Sequence, residues 1–328
     1  MLDPSWLCNP EQAGALQTAI LSGLYNDDDL CRVFAYADTV SLTPESFHAL
    51  VMATRQQTIA LHVTTNLLLD VCGTGGDNCN TVNVSTAIAP ILASMGVPVA
   101  KHGNRAASSR CGSSDVLAAL GLDLDAPATD LLDQLAQTNL VFLFAPQFNP
   151  VLKRVASARK KYGKKTYFNL MGPLLNPMPL THQMIGITDP DDAVLMGYSA
   201  KALGRTGVMF VTGDYGEDEV SAAGATLVQV VTDSGALARQ SYHPSDFGFP
   251  VYTLDAIRGG DARFNAKILR TIWENTAPES YRVVSVLNAA LAYHLVTQQP
   301  ILACRDRVVT ELESGNIMRV LKKRLTQA

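Results

Sequence analysis

Short apolar runs that alternate with helix-like segments are the feature that most constrains the fold of this chain. Four such runs, at residues 67–72, 97–100, 140–144 and 207–211, each end in glycine or a polar loop, and helical patterns lie between them. Strands that are separated by helices pair in parallel, and the helices then cover the sheet. The sequence therefore predicts an α/β fold with a mostly parallel sheet flanked by helices.

The first sixty residues follow a different pattern. From Pro10 to about Gln57, apolar residues recur at helical spacing and no strand signal is present. Ser41 or Thr43 can cap a third helix, because the proline at position 44 is tolerated in a first helical turn. The chain has 328 residues and 47% hydrophobic content, which is enough for about two domains. We predict a small all-helical domain at residues 1–66 and an α/β domain at residues 67–328.

Composition gives no sign of a general affinity for nucleic acids or membranes. The net charge is -4 and only 17% of residues are charged, so no broad positive field is expected. The six cysteines form no CxxC pair or Cys/His cluster of the kind that binds zinc, and we expect reduced, mostly buried thiols. The sequence shows no signal-peptide pattern and no long apolar stretch. We therefore expect a cytoplasmic protein that meets anionic ligands locally.

A glycine-rich loop, Gly73-Thr-Gly-Gly-Asp77, follows the first predicted strand. Parallel sheets bind ligands beyond the carboxyl ends of their strands, and glycines let backbone N–H groups approach an anion closely. The loop does not match a dinucleotide-binding fingerprint, because Asn78 stands where a third glycine is required, and it lacks the Gly-Lys-Ser/Thr of a Walker loop. By itself it is as compatible with a tight turn as with a phosphate site.

Two further segments at the same predicted edge of the sheet suit anions. Asn83-Val-Ser-Thr86 opens a helix that is predicted to run to Met95, and a helix N-terminus with hydroxyl groups offers donors to a phosphate. The next strand leads to Lys101-His-Gly-Asn-Arg105 and then to a stretch rich in serine and glycine that ends at Ser114. Helix capping and a solvated basic loop would explain each segment separately. Their succession at strand ends predicts one phosphate-rich site.

Two charged segments beyond residue 150 are candidates for binding other ligands. The basic residues between Lys153 and Lys165 fall on a predicted helix, and most of them are expected to be solvated. One arginine turned inward could hold a substrate carboxylate, but the residues alone do not choose which. The run from Asp214 to Ser221 holds four carboxylates at another strand end. By itself this run is typical of an acidic turn. If the preceding loops bind a pyrophosphate, its carboxylates are the expected ligands of a magnesium ion.

The order and spacing of these segments resemble the anthranilate phosphoribosyltransferase family. The likeness covers almost the whole chain and includes Asn-Leu-Met-Gly-Pro-Leu-Leu-Asn-Pro at 169–177 and Asp-Glu-Val-Ser at 218–221. It implies a fold of the nucleoside phosphorylase and phosphoribosyltransferase type, in which residues 150–178 return to the helical domain and the helical parts form a homodimer. It also implies an Mg²⁺-dependent transfer of 5-phosphoribosyl from phosphoribosyl pyrophosphate to anthranilate, in tryptophan biosynthesis.

The resemblance also implies roles for individual residues at matching motif positions. Lys101 and Arg159 would be catalytic, and Arg159 is identified by the Lys-Lys-Tyr-Gly step that follows it. The magnesium ligands would be Ser85, Asp218 and Glu219. Anthranilate would be bound by Gly73, Asn104 and Arg159. Phosphoribosyl pyrophosphate would be bound by Gly73, Gly76, Asp77, Thr81, Asn83, Val84, Ser85, Thr86, Lys101, His102, Gly103, Asn104, Arg105, Ala106, Ala107, Ser108, Ser109 and Ser113.

The chain departs from the family pattern at three places. Phe148 and Asn149 stand where the family usually has tyrosine or phenylalanine followed by histidine. Val40-Ser41 replaces a Lys-Gly pair, and Asn78 replaces a common glycine. Phe148 and Asn149 are expected near the acceptor pocket. The alternative to anthranilate is therefore another aromatic amine as the acceptor.

Two other classes of protein are alternatives. A pyrimidine-nucleoside phosphorylase usually carries a Thr-Gly-Gly-Thr-x-Asp segment where this chain has Cys111-Gly-Ser-Ser-Asp115. A non-enzymatic relative that binds nucleic acid should have lost the phosphate loops, and this chain keeps them. We therefore expect a phosphoribosyltransferase.

Overall fold

Three helices form the first part of the chain, as the helical periodicity predicts. The computed structural model describes residues 3–105 and 111–322, the last by its backbone alone. It places the helices at Pro10–Leu21 (α1), Asp27–Ala37 (α2) and Pro44–Arg55 (α3), after a 3₁₀ helix at Pro4–Cys8. Thr43 caps α3, because its hydroxyl oxygen accepts a hydrogen bond from the Ser46 N–H at 3.1 Å.

A seven-stranded sheet forms the centre of the remaining chain. Its strands are Leu69–Gly73 (β1), Val99–Gly103 (β2), Leu140–Phe144 (β3), His182–Gly186 (β4), Gly207–Gly213 (β5), Thr226–Val231 (β6) and Leu237–Tyr242 (β7). The spatial order is β3-β2-β1-β4-β5-β6-β7. The first five strands pair in parallel, whereas β6 and β7 are antiparallel. The predicted mostly parallel sheet is confirmed, but β4, β6 and β7 were not predicted.

Helices cover both faces of this sheet. They are Val84–Ser94 (α4), Ser113–Ala119 (α5), Ala128–Thr138 (α6), Ala145–Phe148 (α7), Lys153–Tyr162 (α8), Tyr167–Met171 (α9), Asp192–Ala202 (α10), Ala262–Trp273 (α11), Glu279–Thr297 (α12), Ile301–Ser314 (α13) and Asn316–Lys322 (α14). Further 3₁₀ helices lie at Pro150–Leu152, Gly172–Leu175, Pro244–Phe247 and Leu254–Ile257. Within the described ranges, no helix has both the length and the apolar character needed to cross a membrane. Of the six thiols, only Cys111 and Cys304 are buried, so the expectation of mostly buried cysteines was wrong.

The apolar residues form separate cores on the two faces of the sheet. On one face, α4 and α12 pack against strand residues such as Met184 and Val211. On the other face, Ile185 and Phe210 share a core with α1, α2, α3, α8 and α9. The segment around residues 150–178 therefore packs with the opening helices, and the same core continues onto the sheet. The division into domains at residues 66 and 67 remains a prediction.

Candidate active site

A cavity of about 340 Å³ opens where β1, β2 and β4 end. The terminal glycines of these strands, Gly73, Gly103 and Gly186, line it. The N-terminus of α4 and residues of α8 and α9 complete its wall. This is the edge at which a parallel sheet binds ligands.

Two glycines make room for the acidic segment beside this cavity. Gly73 and Gly186 are register partners in β1 and β4, and Asp218 packs against both. A Cβ added at Gly73 would lie 2.2 Å from Asp218 Oδ2, and one added at Gly186 would lie 1.5 Å from the Asp218 carbonyl oxygen. Asp218 Oδ2 also accepts a hydrogen bond from the Gly75 N–H at 2.6 Å. The glycine loop and the acidic segment therefore form one unit.

The N-terminus of α4 faces the cavity without a side-chain cap. Asn83 makes no capping hydrogen bond to the helix. Its Oδ1 instead accepts from Asn265 Nδ2 at 2.9 Å, and its Nδ2 donates to the Cys111 carbonyl oxygen at 3.3 Å. The helix has 11 residues, so its dipole and its first-turn N–H groups favour an anion at this end.

Lys101 places a nearly buried positive charge in the same wall. Its side chain is 3% exposed, and Nζ donates to the Val71 carbonyl oxygen at 2.8 Å and to Ser85 Oγ at 3.0 Å. Burial lowers the pKa of Lys101, while the negative charges of Asp70 and Asp218 act in the opposite direction. The Lys101 ammonium therefore places a positive charge next to Ser85, at the start of α4.

Asp218 and Glu219 place two adjacent carboxylates in the wall of the cavity. Burial and the charge of Asp77 raise the pKa of Asp218 to about 6, and burial and Asp218 raise the pKa of Glu219 well above its usual value. Glu219 Oε1 is shielded from solvent and has no hydrogen-bond partner among the described residues. A divalent cation would relieve this repulsion, so the pair fits Mg²⁺.

Ser85, the third predicted magnesium ligand, also lines the cavity. The part of the chain that the structure describes contains no group of three or more His, Cys, Asp or Glu side chains suited to a metal. A magnesium ion here would therefore take the rest of its ligands from water and from substrate phosphates, which is its usual preference.

Arg159 reaches the cavity from α8. Its Nη2 donates to Asn169 Oδ1 at 3.0 Å, and its guanidinium carbon lies 5.7 Å from the centroid of the Phe168 ring. The same Asn169 oxygen accepts from the Thr166 N–H at 3.0 Å, which fixes the asparagine side chain. Burial lowers the pKa of Arg159, but a guanidinium remains charged. The arrangement leaves donors that can bind a carboxylate.

Comparison with known proteins identifies the family. A sequence profile described as "Glycosyl transferase family, a/b domain" matches residues 65–317. An anthranilate phosphoribosyltransferase of Sphingopyxis alaskensis is 40% identical over 290 residues, which cover 88% of this chain and 86% of that protein. A protein of the same name from Erythrobacter litoralis is 38% identical over 312 residues, covering 94% and 93%. This chain belongs to the anthranilate phosphoribosyltransferase family.

Solved structures of the family share the fold. The anthranilate phosphoribosyltransferase of Thermus thermophilus superposes with a TM-score of 0.87 at 30% identity, over 96% of this chain and 94% of that one. The Saccharomyces cerevisiae enzyme in complex with PRPP and Mg superposes with a TM-score of 0.89 at 23% identity, over 99% and 93%. The second likeness supports the fold alone.

The structure brings most of the predicted site residues of this family to one cavity. Those that line it are Gly73, Gly76, Asp77, Thr81, Asn83, Val84, Ser85, Lys101, His102, Gly103, Asn104, Arg105, Ser113, Arg159, Asp218 and Glu219. Thr86 does not line it, and its buried hydroxyl has no hydrogen-bond partner among the residues described. The predictions for Ala106, Ala107, Ser108 and Ser109 lie outside the described residues.

Several residues in the wall of the cavity were not predicted. Two of them, Phe168 and Asn169, lie in the family motif at 169–177 or next to it, but the motif did not show which side chains face a ligand. Another, Asn288, is buried in the apolar helix α12. Its Oδ1 accepts from the Val220 N–H, and its Nδ2 donates to the Val220 carbonyl oxygen, both at 2.9 Å. An asparagine within an apolar helical run was the available signal for this residue.

Phe148 and Asn149, which were expected near the acceptor pocket, do not themselves line the cavity. Phe148 is 2% exposed and packs in an apolar core with Leu61. Asn149 Oδ1 accepts from Thr58 Oγ1 at 2.7 Å, and its Nδ2 donates to the Leu175 carbonyl oxygen at 3.2 Å. The same Nδ2 lies 3.5 Å from His102 Nε2. The two residues therefore support the wall from behind.

Proposed function

We propose that this chain transfers a 5-phosphoribosyl group from phosphoribosyl pyrophosphate to the amine of anthranilate and releases pyrophosphate, as a step of tryptophan biosynthesis. One observation carries the proposal: a single cavity joins Lys101, the α4 N-terminus and two acidic residues with the guanidinium of Arg159. The first set suits a magnesium-bound diphosphate, and the guanidinium suits an aromatic acid. The names of the relatives and the PRPP and Mg complex of the yeast enzyme support the assignment.

The donor lies against the ends of β1 and β2. The glycine loop and the first turn of α4 donate backbone hydrogen bonds to its phosphates. Departure of pyrophosphate leaves positive charge on the ribose and adds negative charge to the leaving group. Lys101 stabilises that negative charge from a nearly buried position. Mg²⁺ held by Ser85, Asp218 and Glu219 supplies further positive charge when it is bound.

The acceptor lies beside Arg159. The guanidinium binds its carboxylate by hydrogen bonds, and Asn104 and Gly73 complete the contact set. An aromatic amine is already neutral near pH 7, so it can attack without a strong general base. Positioning of the two substrates and charge stabilisation then supply most of the rate.

Two features of the family prediction concern the assembly and location of the protein. A homodimer formed through the helical parts and a cytoplasmic location remain predictions. Light scattering of the purified protein at micromolar concentration measures its oligomeric state directly, and a monomer would contradict the first of them.

The test of the proposed function follows the loss of anthranilate fluorescence in the presence of phosphoribosyl pyrophosphate and Mg²⁺. We expect turnover by the wild type and a decrease in kcat/KM of roughly 30-fold in Arg159→Ala, because charged hydrogen bonds to the acceptor are lost. Arg263→Ala is the matched control, since Arg263 is exposed on α11 and does not line the cavity. No consumption by folded wild type would contradict the proposal. Turnover of only another aromatic amine would retain the donor assignment and change the acceptor.

A further inference from the structure

Lys165 extends from the segment between α8 and α9 over the glycine loop. A Cβ added at Gly76 would lie 2.5 Å from Lys165 Cε and 3.4 Å from its Nζ, so the lysine side chain rests on this glycine. Nζ donates a hydrogen bond to Thr188 Oγ1 at 2.8 Å. Thr188 follows β4, which is the neighbour of β1 in the sheet. The side chain therefore crosses from the helical segment to the ends of two strands.

The glycine loop under Lys165 is joined to the acidic segment of the donor side. Gly75, the residue before Gly76, donates its N–H to Asp218 Oδ2 at 2.6 Å. Gly76, on which the lysine rests, and the adjacent Asp77 line the cavity. A positive charge is thus present at the edge where a diphosphate would meet the acidic segment.

Lys165 does not itself line the cavity, and two of the cations that do line it are already held by polar partners. Lys101 donates to Val71 and Ser85, and Arg105 forms an ion pair with Asp115 at 3.2 Å. By contrast, Lys165 is exposed, and its hydrogen bond to Thr188 is with a neutral hydroxyl. A phosphate oxygen is a stronger acceptor for an ammonium than a hydroxyl is. Lys165 can therefore exchange Thr188 for a ligand at little cost.

Lys165 belongs to the same short segment as the acceptor residues. The next residue, Thr166, donates its N–H to Asn169 Oδ1 at 3.0 Å, and Arg159 donates to that same oxygen at 3.0 Å. One asparagine side chain thus connects the backbone next to Lys165 with the guanidinium that faces the acceptor.

We propose that Lys165 binds the pyrophosphate group of the donor and thereby fixes the segment that carries Arg159. The inference rests on the proposed donor site but not on the identity of the acceptor. No covalent step is involved: the ammonium leaves the Thr188 hydroxyl and donates to a phosphate oxygen. Lys165, which follows the solvated basic helix α8, is then a residue of the donor site.

Isothermal titration of the full chain with magnesium pyrophosphate tests this contact. We expect roughly tenfold weaker binding in Lys165→Met, the scale of one charged hydrogen bond at an exposed site, and binding within about threefold of the wild type in Lys165→Arg. Lys164→Met is the matched control, because the adjacent Lys164 is exposed and its ammonium lies 6.0 Å from the centroid of the Tyr162 ring. We expect the control to bind as the wild type does.

Turnover kinetics give a second measurement. In Lys165→Met we expect the KM for phosphoribosyl pyrophosphate to rise roughly tenfold, with kcat reduced less than about threefold, whereas a general loss of folded protein would lower kcat alone. Equal pyrophosphate affinity in Lys165→Met and Lys164→Met would overturn the proposal, as would the absence of binding by the wild type. Because the titration contains no acceptor, a wild type that binds pyrophosphate but does not use anthranilate would contradict only the proposed acceptor.

Discussion

The donor side and the acceptor side of the cavity are built by different means. The donor side consists of strand ends, a pair of glycines packed against Asp218, and a helix N-terminus, with Lys101 almost buried behind them. The acceptor side is a short helical segment, in which Arg159 is held by one asparagine side chain and lies over one ring. Donor binding therefore depends mainly on the sheet and α4, to which the proposed Lys165 contact adds one group, whereas acceptor binding depends on how one segment packs.

The largest effect is expected from Lys101→Met on the donor side. Loss of the positive charge beside Ser85 should lower kcat/KM about a hundred- to a thousandfold, which is the usual effect of removing a preorganised group that stabilises transition-state charge. The anthranilate fluorescence assay measures it. Lys160→Met, at an exposed position outside the cavity, should retain wild-type activity. A reduction of less than about tenfold in Lys101→Met would show that the donor side does not depend on this charge.

The second effect concerns His102, which follows Lys101 on β2 at the donor side and lies 3.5 Å from Asn149, behind the wall of the cavity. Burial lowers the pKa of His102 to about 4. Below about pH 6.5 the unfolded chain binds a proton that the folded protein does not take up until pH 4. This histidine should therefore reduce the free energy of unfolding by about 3 kcal/mol as the pH falls from 6.5 to 4.

Urea unfolding at several pH values between 7 and 4 measures that contribution. The loss of stability with falling pH should be smaller in His102→Gln than in the wild type, and His62→Gln, at an exposed position, should keep the wild-type slope. Equal slopes in all three proteins would mean that His102 takes up its proton at the same pH in the folded and the unfolded protein, which would contradict the prediction.

A smaller effect is expected from Asn169→Ala on the acceptor side. The substitution removes the oxygen that holds both Arg159 and the Thr166 N–H, so the KM for anthranilate should rise roughly tenfold while donor affinity changes little. Asn316→Ala is a suitable control, because Asn316 accepts from Arg319 at 3.1 Å and does not line the cavity. A rise in the KM for the donor alone would reverse the assignment of the two sides.

The smallest effect on activity is expected from Phe148→Leu. Phe148 is a core residue, so the change should lower the free energy of unfolding by about 1–2 kcal/mol. The preference among substituted anthranilates should stay within about twofold of the wild type, because the ring does not line the cavity. Competition assays between anthranilate and ring-substituted analogues measure this preference. A marked change in preference would return Phe148 to the acceptor pocket.

Short motifs in the sequence predicted which loops meet at the strand ends, but not which side chains of the helical segment face the cavity. Glycines and hydroxyls at strand ends act through local backbone geometry, which a short motif can specify. β4 was missed because Gln183, its second residue, is buried and donates to Asp70 at 2.9 Å, so the strand lacks a continuous apolar run. The choice of Arg159 required the family resemblance, and the position of Phe148 depends on contacts with residues far away in the sequence. Such long-range packing leaves no local pattern.

Asn288 ties the acidic segment to the interior of the protein. Since its amide holds both backbone groups of Val220, the residue next to Glu219 shares its hydrogen bonds with the longest helix of the described chain. The segment should therefore open together with the whole molecule and not as a separate loop. An occupant of the acidic pair would then raise the midpoint of global thermal unfolding by mass action, in proportion to the logarithm of its concentration.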